Sequence, residues 1–191
     1  MTEPALPIIA GAARLVVVVG PSGAGKDSLL RAWRASLGDD APVVARRVIT
    51  RPPDATEAHE AVTPDDFAGM RRLGVLATWW RAHGLDYGVR RREFEPLAAG
   101  RWVVLNGSRA HLPVLRAQAP ALRVVEVRAS APVLAQRLAR RGREDAAALQ
   151  GRLARAVGHP VDADLSLVND GALERSLDEL LRWWQGVRET A

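Results

Sequence analysis

Residues 20–30 read GPSGAGKDSLL, in which Gly20, Gly25 and Lys26 have the spacing G-x-x-x-x-G-K. The chemistry that this spacing serves is the holding of phosphates. Glycines let the backbone turn tightly enough for several N–H groups to converge on one anion. A helix that begins at the lysine adds the positive end of its dipole. Lys26 brings a compact, mobile charge to the β- and γ-phosphates, where a planar guanidinium fits poorly. It is the one lysine in a chain with 26 arginines, so a composition that favours Arg almost everywhere keeps Lys at this position. Gly20, Pro21, Ser22, Gly23, Ala24, Gly25, Lys26, Asp27 and Ser28 are therefore expected to bind ATP, with Lys26 acting on the transferred group. The residue after the lysine departs from the usual pattern. Asp27 replaces the Ser or Thr that ordinarily holds Mg²⁺, and Ser28 follows. Mg²⁺ favours oxygen ligands, so Asp27 holds it directly or through water, or Ser28 takes part. The competing reading is a glycine-rich turn that joins a strand to a helix and binds nothing.

The elements around the loop agree with the first reading. Residues 15–19 are Leu-Val-Val-Val-Val, a run suited to a strand buried on both faces of a parallel sheet. Residues 26–37 follow with a helical pattern of Leu29, Leu30, Trp33 and Leu37, and stop at Gly38. Further strands are expected at 43–49, 102–105, 122–127 and 165–168, and helices at 110–118, 130–141, 146–157 and 172–188. Ser130 suits an N-cap, with Pro132 inside the first turn. Alternating strands and helices predict an α/β fold with a mostly parallel central sheet and helices on both faces. Ligands then bind beyond the carboxyl ends of the strands. The whole chain is read as one domain, with its core at about 14–49, 98–136 and 158–188. Two stretches interrupt it: a polar insertion at about 50–95 that suits an acceptor, and an arginine-rich lid at about 137–155.

Composition narrows the alternatives. The chain has 191 residues, 48% of them hydrophobic, enough for a packed core, and no cysteine, which excludes a disulfide scaffold. The first thirteen residues carry no basic residue and do not resemble a secretory signal. No apolar run approaches the ~18 residues of a membrane span. The expectation is a cytoplasmic protein, monomer or homodimer, without membrane partners. The net charge of +5 raises nucleic acid as a partner. The excess follows from arginine-rich composition, with little aromatic–basic interleaving on the expected strands, so nucleic acid is not expected.

Phosphoryl transfer asks chiefly for positioning and charge neutralisation. Arg137, Arg141 and Arg152 lie around the turn of the expected lid and are assigned to the β- and γ-phosphates, while Arg140, Arg143 and Arg155 read as solvated. No clear catalytic base is present, and His59, His83, His111 and His159 lack metal-ligand spacing. A phosphate acceptor explains the lack, because a phosphate monoester is already an anion near neutral pH. An alcohol acceptor would need a base, for which Asp66, Asp86 and His111 remain open.

Taken together, GPSGAGKDSLL, VITRPP, HGLDYGV, NGSRAHLP, RLARRGRE, RLARA and VNDG resemble ribose 1,5-bisphosphate phosphokinases. These are P-loop enzymes of the guanylate-kinase-like group that serve phosphonate breakdown. The resemblance runs from about residue 14 to 186, and its specific parts are the K-D-S ending of the loop and NGSRAHLP. It implies ATP-dependent conversion of ribose 1,5-bisphosphate to 5-phosphoribosyl diphosphate and ADP. It also implies that Arg137 and Asn169 hold ATP. Guanylate kinases grip their acceptor phosphate with two arginines and two tyrosines. Here Arg51 resembles the first arginine, Asp54 falls at the second, His59 at one tyrosine and Asp86 or Tyr87 at the other. The guanine-reading carboxylate falls near Thr78 and its hydroxyl partner near Val89. Such a site loses much of its discrimination for guanine. Arg51, His59, Tyr87, Asn106, Ser108 and Arg109 are the implied holders of the sugar bisphosphate, with Asn106 and Ser108 on ribose hydroxyls and Arg51 and Arg109 on phosphates. A guanylate kinase or another kinase of a small phosphorylated acceptor, and a non-catalytic binding module, are the alternatives.

Overall fold

A computed structural model describes residues 8–52, 58–140 and 161–189. The strands are β1 (Leu15–Val19), β2 (Val43–Val44), β3 (Arg47–Ile49), β4 (Glu60–Ala61), β5 (Leu76–Ala82), β6 (Leu85–Arg90), β7 (Val103–Asn106), β8 (Arg123–Arg128) and β9 (Leu165–Val168). The α-helices are α1 (Lys26–Leu37), α2 (Pro64–Arg72), α3 (Glu95–Ala98), α4 (Leu112–Gln118), α5 (Ala131–Arg140) and α6 (Leu173–Glu189). One sheet has the order β2-β7-β1-β8-β9, the other β4-β3-β6-β5. The described residues divide into two compact units, one drawn from 8–15, 42–52, 58–105 and 110–122, the other from 16–41, 106–109, 123–140 and 161–189.

The second of these units carries the phosphate loop. In it β1 pairs in parallel with β8, Val19 lying opposite Glu126, and β8 pairs in parallel with β9. All five residues of β1 are buried, as the unbroken valine run requires of a strand covered on both faces. Helices α1 and α6 pack through Trp33 and Trp184, whose rings meet edge to face with centroids 5.0 Å apart. Each indole contributes a large apolar area, which fixes the helix that leaves the loop.

In the first unit β2 pairs in parallel with β7. Residues 43–49, expected as one strand, form two in different sheets, because the chain breaks at Ala45 and Arg46. Buried Ala45 still donates to the Val104 carbonyl, while exposed Arg46 turns to Glu93. The polar stretch after residue 50 holds most of the second sheet. Strands β5 and β6 form an antiparallel hairpin around His83 and Gly84, both with positive φ, as a two-residue turn of matching twist demands. Helix α2 begins with a capping box in which Thr63 and Asp66 satisfy each other's backbone N–H groups, with Pro64 in the first turn. It lays Phe67 against Val48 and Leu76.

Candidate active site

The phosphate loop begins where β1 ends. Gly20 has φ 147°, and a Cβ there would stand 2.1 Å from the Val127 carbonyl oxygen, so no other residue fits. Gly25 has φ 91° and opens α1 without a capping side chain, which leaves first-turn N–H groups for an anion. Lys26 folds back over the loop. Its Nζ donates to the carbonyls of Gly20 at 2.8 Å and Pro21 at 3.1 Å. These bonds hold the ammonium beside the N–H groups rather than in open solvent.

Two asparagines brace the loop from outside. Asn169, directly after β9 and 3% exposed, donates from Nδ2 to the Ala24 carbonyl at 2.7 Å. Its Oδ1 is buried without a hydrogen-bond partner among the described residues. Arg137 of α5 places Nη1 3.5 Å from the same Ala24 oxygen. Asn106, the last residue of β7 and 6% exposed, donates from Nδ2 to Asp27 Oδ1 at 2.6 Å. The next residue, Gly107, donates its N–H to the Val18 carbonyl, which seats the end of β7 beside the start of the loop.

Ser108 and Arg109 follow, both half-buried. Burial lowers the Arg109 pKa; nearby Glu126 opposes that shift and Arg128 adds to it. Glu126 is itself buried on β8 and accepts from Arg128 Nε and Nη2, each at 2.6 Å. Sequence reasoning missed Glu126 and Arg128. The available signal was a glutamate inside the apolar run Val-Val-Glu-Val of residues 124–127. A buried carboxylate needs a cationic partner, and here it meets arginines.

The remaining residues expected to hold the acceptor belong to the other unit. Arg51 is half-buried at the end of the segment after β3. His59 is buried, with Nε2 3.1 Å from the Arg51 carbonyl oxygen, and its own carbonyl accepts from Arg46 Nη2. Tyr87 stacks on Trp80 with centroids 5.5 Å apart, and Trp80 stacks in turn on His111 at 5.1 Å. Thr78 is fully buried, its Oγ1 2.6 Å from His111 Nε2. Burial lowers the His111 pKa to about 4, so its ring is neutral at neutral pH. Of the bases left open above, His111 is thus enclosed and paired. Asp66 serves the cap of α2, and Asp86 lies 3.8 Å from Arg81.

Around the loop the structure therefore gathers Lys26, Asp27, Ser28, Asn106, Asn169 and Arg137 in one unit, whereas Arg51, His59 and Tyr87 stand in the other. Arg141 and Arg152, with the expected helix 146–157 and most of the expected lid, lie outside the described residues. Among the described residues no group of three or more His, Asp or Glu side chains is placed to hold a metal ion. The oxygen donors at the loop fit Mg²⁺ all the same, since that ion takes one or two protein ligands together with substrate phosphates. Asp27 Oδ1 is held by Asn106, and its second oxygen has no partner among the described residues.

A glycine-lined loop at the carboxyl end of a buried parallel strand, with a lysine folded into it and a helix leading away, defines a P-loop kinase fold. The chain is 51% identical over 158 residues to ribose 1,5-bisphosphate phosphokinase PhnN of Acidiphilium cryptum, covering 82% of this chain and 84% of that one. It is 46% identical over 179 residues to the protein of that name from Burkholderia mallei (92% and 97%), and 43% over 178 residues to that from Pseudomonas fluorescens (89% and 94%). The protein belongs to the ribose 1,5-bisphosphate phosphokinase PhnN family. Among solved structures it resembles a guanylate kinase from Anaplasma phagocytophilum, with a TM-score of 0.66 and 19% identity over 96% of this chain and 87% of that one. It also resembles a gluconokinase from Sinorhizobium meliloti, with a TM-score of 0.52 and 21% identity over 94% and 95%. Both likenesses concern the fold. No family model matches the chain.

Proposed function

We propose that this protein transfers the γ-phosphoryl group of ATP to the 1-phosphate of ribose 1,5-bisphosphate, giving 5-phospho-α-D-ribose 1-diphosphate and ADP. Membership of the family and the complete phosphate loop support the reaction type. In the reaction an oxygen of the acceptor phosphate attacks the γ-phosphorus while the bond from that phosphorus to the β,γ-bridging oxygen breaks. The acceptor is already anionic, so no side chain has to remove a proton. The loop N–H groups and Lys26 hold the β- and γ-phosphates. Arg137, Arg141 and Arg152 neutralise charge that spreads over the transferred group. Asn169 serves ATP by holding the loop at Ala24. Asp27 and Ser28 are the groups that would hold Mg²⁺, which supplies charge neutralisation at the phosphates. Arg51 and Arg109 are the groups assigned to the acceptor's phosphates by resemblance, and His59, Tyr87, Asn106 and Ser108 those assigned to its sugar. A cytoplasmic setting and a role in phosphonate breakdown accompany this reading. No helix among the described residues is long and apolar enough to cross a membrane.

The observation that carries the choice of acceptor is Thr78. By resemblance the guanine-reading carboxylate falls near it, and Thr78 is fully buried with its hydroxyl on His111. The partner position, Val89, is fully buried and apolar. A base that needs a carboxylate finds none there. ADP release measured with ribose 1,5-bisphosphate and with GMP, with products followed by phosphorus NMR, tests the proposal. The expected result is a diphosphate product from the bisphosphate and little turnover of GMP. Turnover of GMP without the bisphosphate overturns it.

A further inference from the structure

In P-loop NTPases two side chains ordinarily share the ion at the nucleotide: a Ser or Thr directly after the loop lysine, and an aspartate from a neighbouring strand. The charge sits on the strand and the neutral oxygen on the loop. This chain has the loop lysine at 26, and the residue after it is an aspartate. Across from that aspartate, at the end of β7, stands Asn106, with its amide donating to Asp27 at 2.6 Å. The pair retains one negative charge in total, but the charge has changed sides.

We infer that Asp27 and Asn106 form a charge-transposed metal pair, in which the loop carries the carboxylate and Asn106 is the positioning residue that aims it. The inference rests on the nucleotide reading above and assigns Asn106 a role other than contact with the sugar. Three observations argue for it. Asn106 is 6% exposed at a strand end anchored by the Gly107–Val18 hydrogen bond, so its amide is held in place by the sheet. The amide occupies Oδ1 of Asp27, while the second oxygen has no partner among the described residues and is left for a cation. An aspartate at 106 would set two carboxylates at hydrogen-bond distance, which repel unless a cation or a proton lies between them. With the charge on the loop, the strand residue has to be a neutral donor. Asparagine is the nearly isosteric side chain that provides one.

The pair makes a reciprocal exchange the decisive experiment. The full-length protein, saturated with ADP, is titrated with Mn²⁺ and free ion is followed by electron paramagnetic resonance. Thermal unfolding is recorded without nucleotide. Asp27→Ser is expected to weaken Mn²⁺ binding by at least about tenfold, and Asn106→Ser by a similar factor through loss of orientation. Asn106→Asp alone lowers the unfolding temperature, and Mn²⁺ restores it. The double variant Asp27→Ser with Asn106→Asp returns the charge to the strand and recovers Mn²⁺ affinity to within a few-fold of the parent. A double variant that binds Mn²⁺ no better than Asp27→Ser overturns the inference, as does an Asp27→Ser protein with parental affinity. Should the parent protein fail to bind ADP at all, the nucleotide reading falls and the inference with it. If the parent binds ADP with Mn²⁺ and the exchange fails, only the inference falls.

Discussion

Asn169 Nδ2 holds the carbonyl oxygen of Ala24 at 2.7 Å, joining two residues 145 positions apart in the chain. Ala24 lies in the middle of the phosphate loop and is fully buried. Its carbonyl has to point away from the anion so that neighbouring N–H groups can point toward it. The asparagine after β9 thus sets the loop's polarity from behind. Asn169→Ala is expected to weaken ATP binding by about tenfold and to cost roughly 1 kcal/mol of stability, since the Ala24 oxygen keeps only the long contact to Arg137. Calorimetric titration and denaturant unfolding measure the two effects. Asn169→Asp, which faces the carbonyl with an acceptor, should be worse on both counts.

Gly25 separates local strain from function. A Cβ at this position would stand 2.3 Å from Asn169 Nδ2, on a backbone with φ 91°. Gly25→Ala is therefore expected to displace Asn169 and abolish detectable nucleotide binding. Gly84, at the β5–β6 turn, also has positive φ but open space around it. Gly84→Ala should cost about 1 kcal/mol of stability and leave nucleotide affinity unchanged. Equal losses of ATP affinity in both variants would show that backbone strain alone, without the Asn169 contact, governs the loop.

Lys26 supplies the test of catalysis against mere binding. Its bonds to the Gly20 and Pro21 carbonyls place the ammonium at the loop mouth. Lys26→Ala is expected to remove nucleotide binding and with it all phosphoryl transfer. Lys26→Arg should fold normally and still transfer poorly, because the fork does not fit the point-charge position. An unchanged ATP affinity in Lys26→Ala would favour a binding module over a kinase.

His111 predicts a pH dependence of stability. Burial lowers its pKa to about 4 in the fold, against an ordinary value of 6.5. Between those two values the unfolded chain binds a proton that the folded chain refuses. Stability from this group is therefore complete above pH 6.5 and falls as pH drops toward 4, by up to about 3 kcal/mol. The difference in unfolding free energy between pH 7 and pH 4.5 should shrink in His111→Gln. An identical difference in the two proteins would place the titration elsewhere.

The legibility of this chain was uneven, for physical reasons that differ by region. The loop and β9, at residues 165–168, could be read locally, because glycine spacing and apolar runs are local signals. Helix α1 could be read for the same reason, from a periodic stripe bounded by the loop and Gly38. The break of residues 43–49 into strands of two sheets carried no such mark, since Ala45 and Arg46 are unremarkable in sequence and the break is set by different pairing partners. The β5–β6 hairpin was also missed. Its His83-Gly84 turn is a weaker signal than Asn-Gly, and its alternation is blurred by two adjacent tryptophans.

The sequence by itself determined that a phosphate loop follows a buried strand, that its lysine is unique, and that an aspartate stands where a hydroxyl is usual. These are properties of residue type and short spacing, which the chain carries whatever it later packs against. Only the tertiary structure decided what Asp27 and Ala24 face. Asn106 and Asn169 reach them from distant strands, at 79 and 145 positions' separation, through the pairing of a sheet. Strand pairing is a long-range event that no local pattern encodes, so although resemblance had already singled out Asn106 and Asn169, their contacts with Asp27 and Ala24 became visible only once the chain had folded.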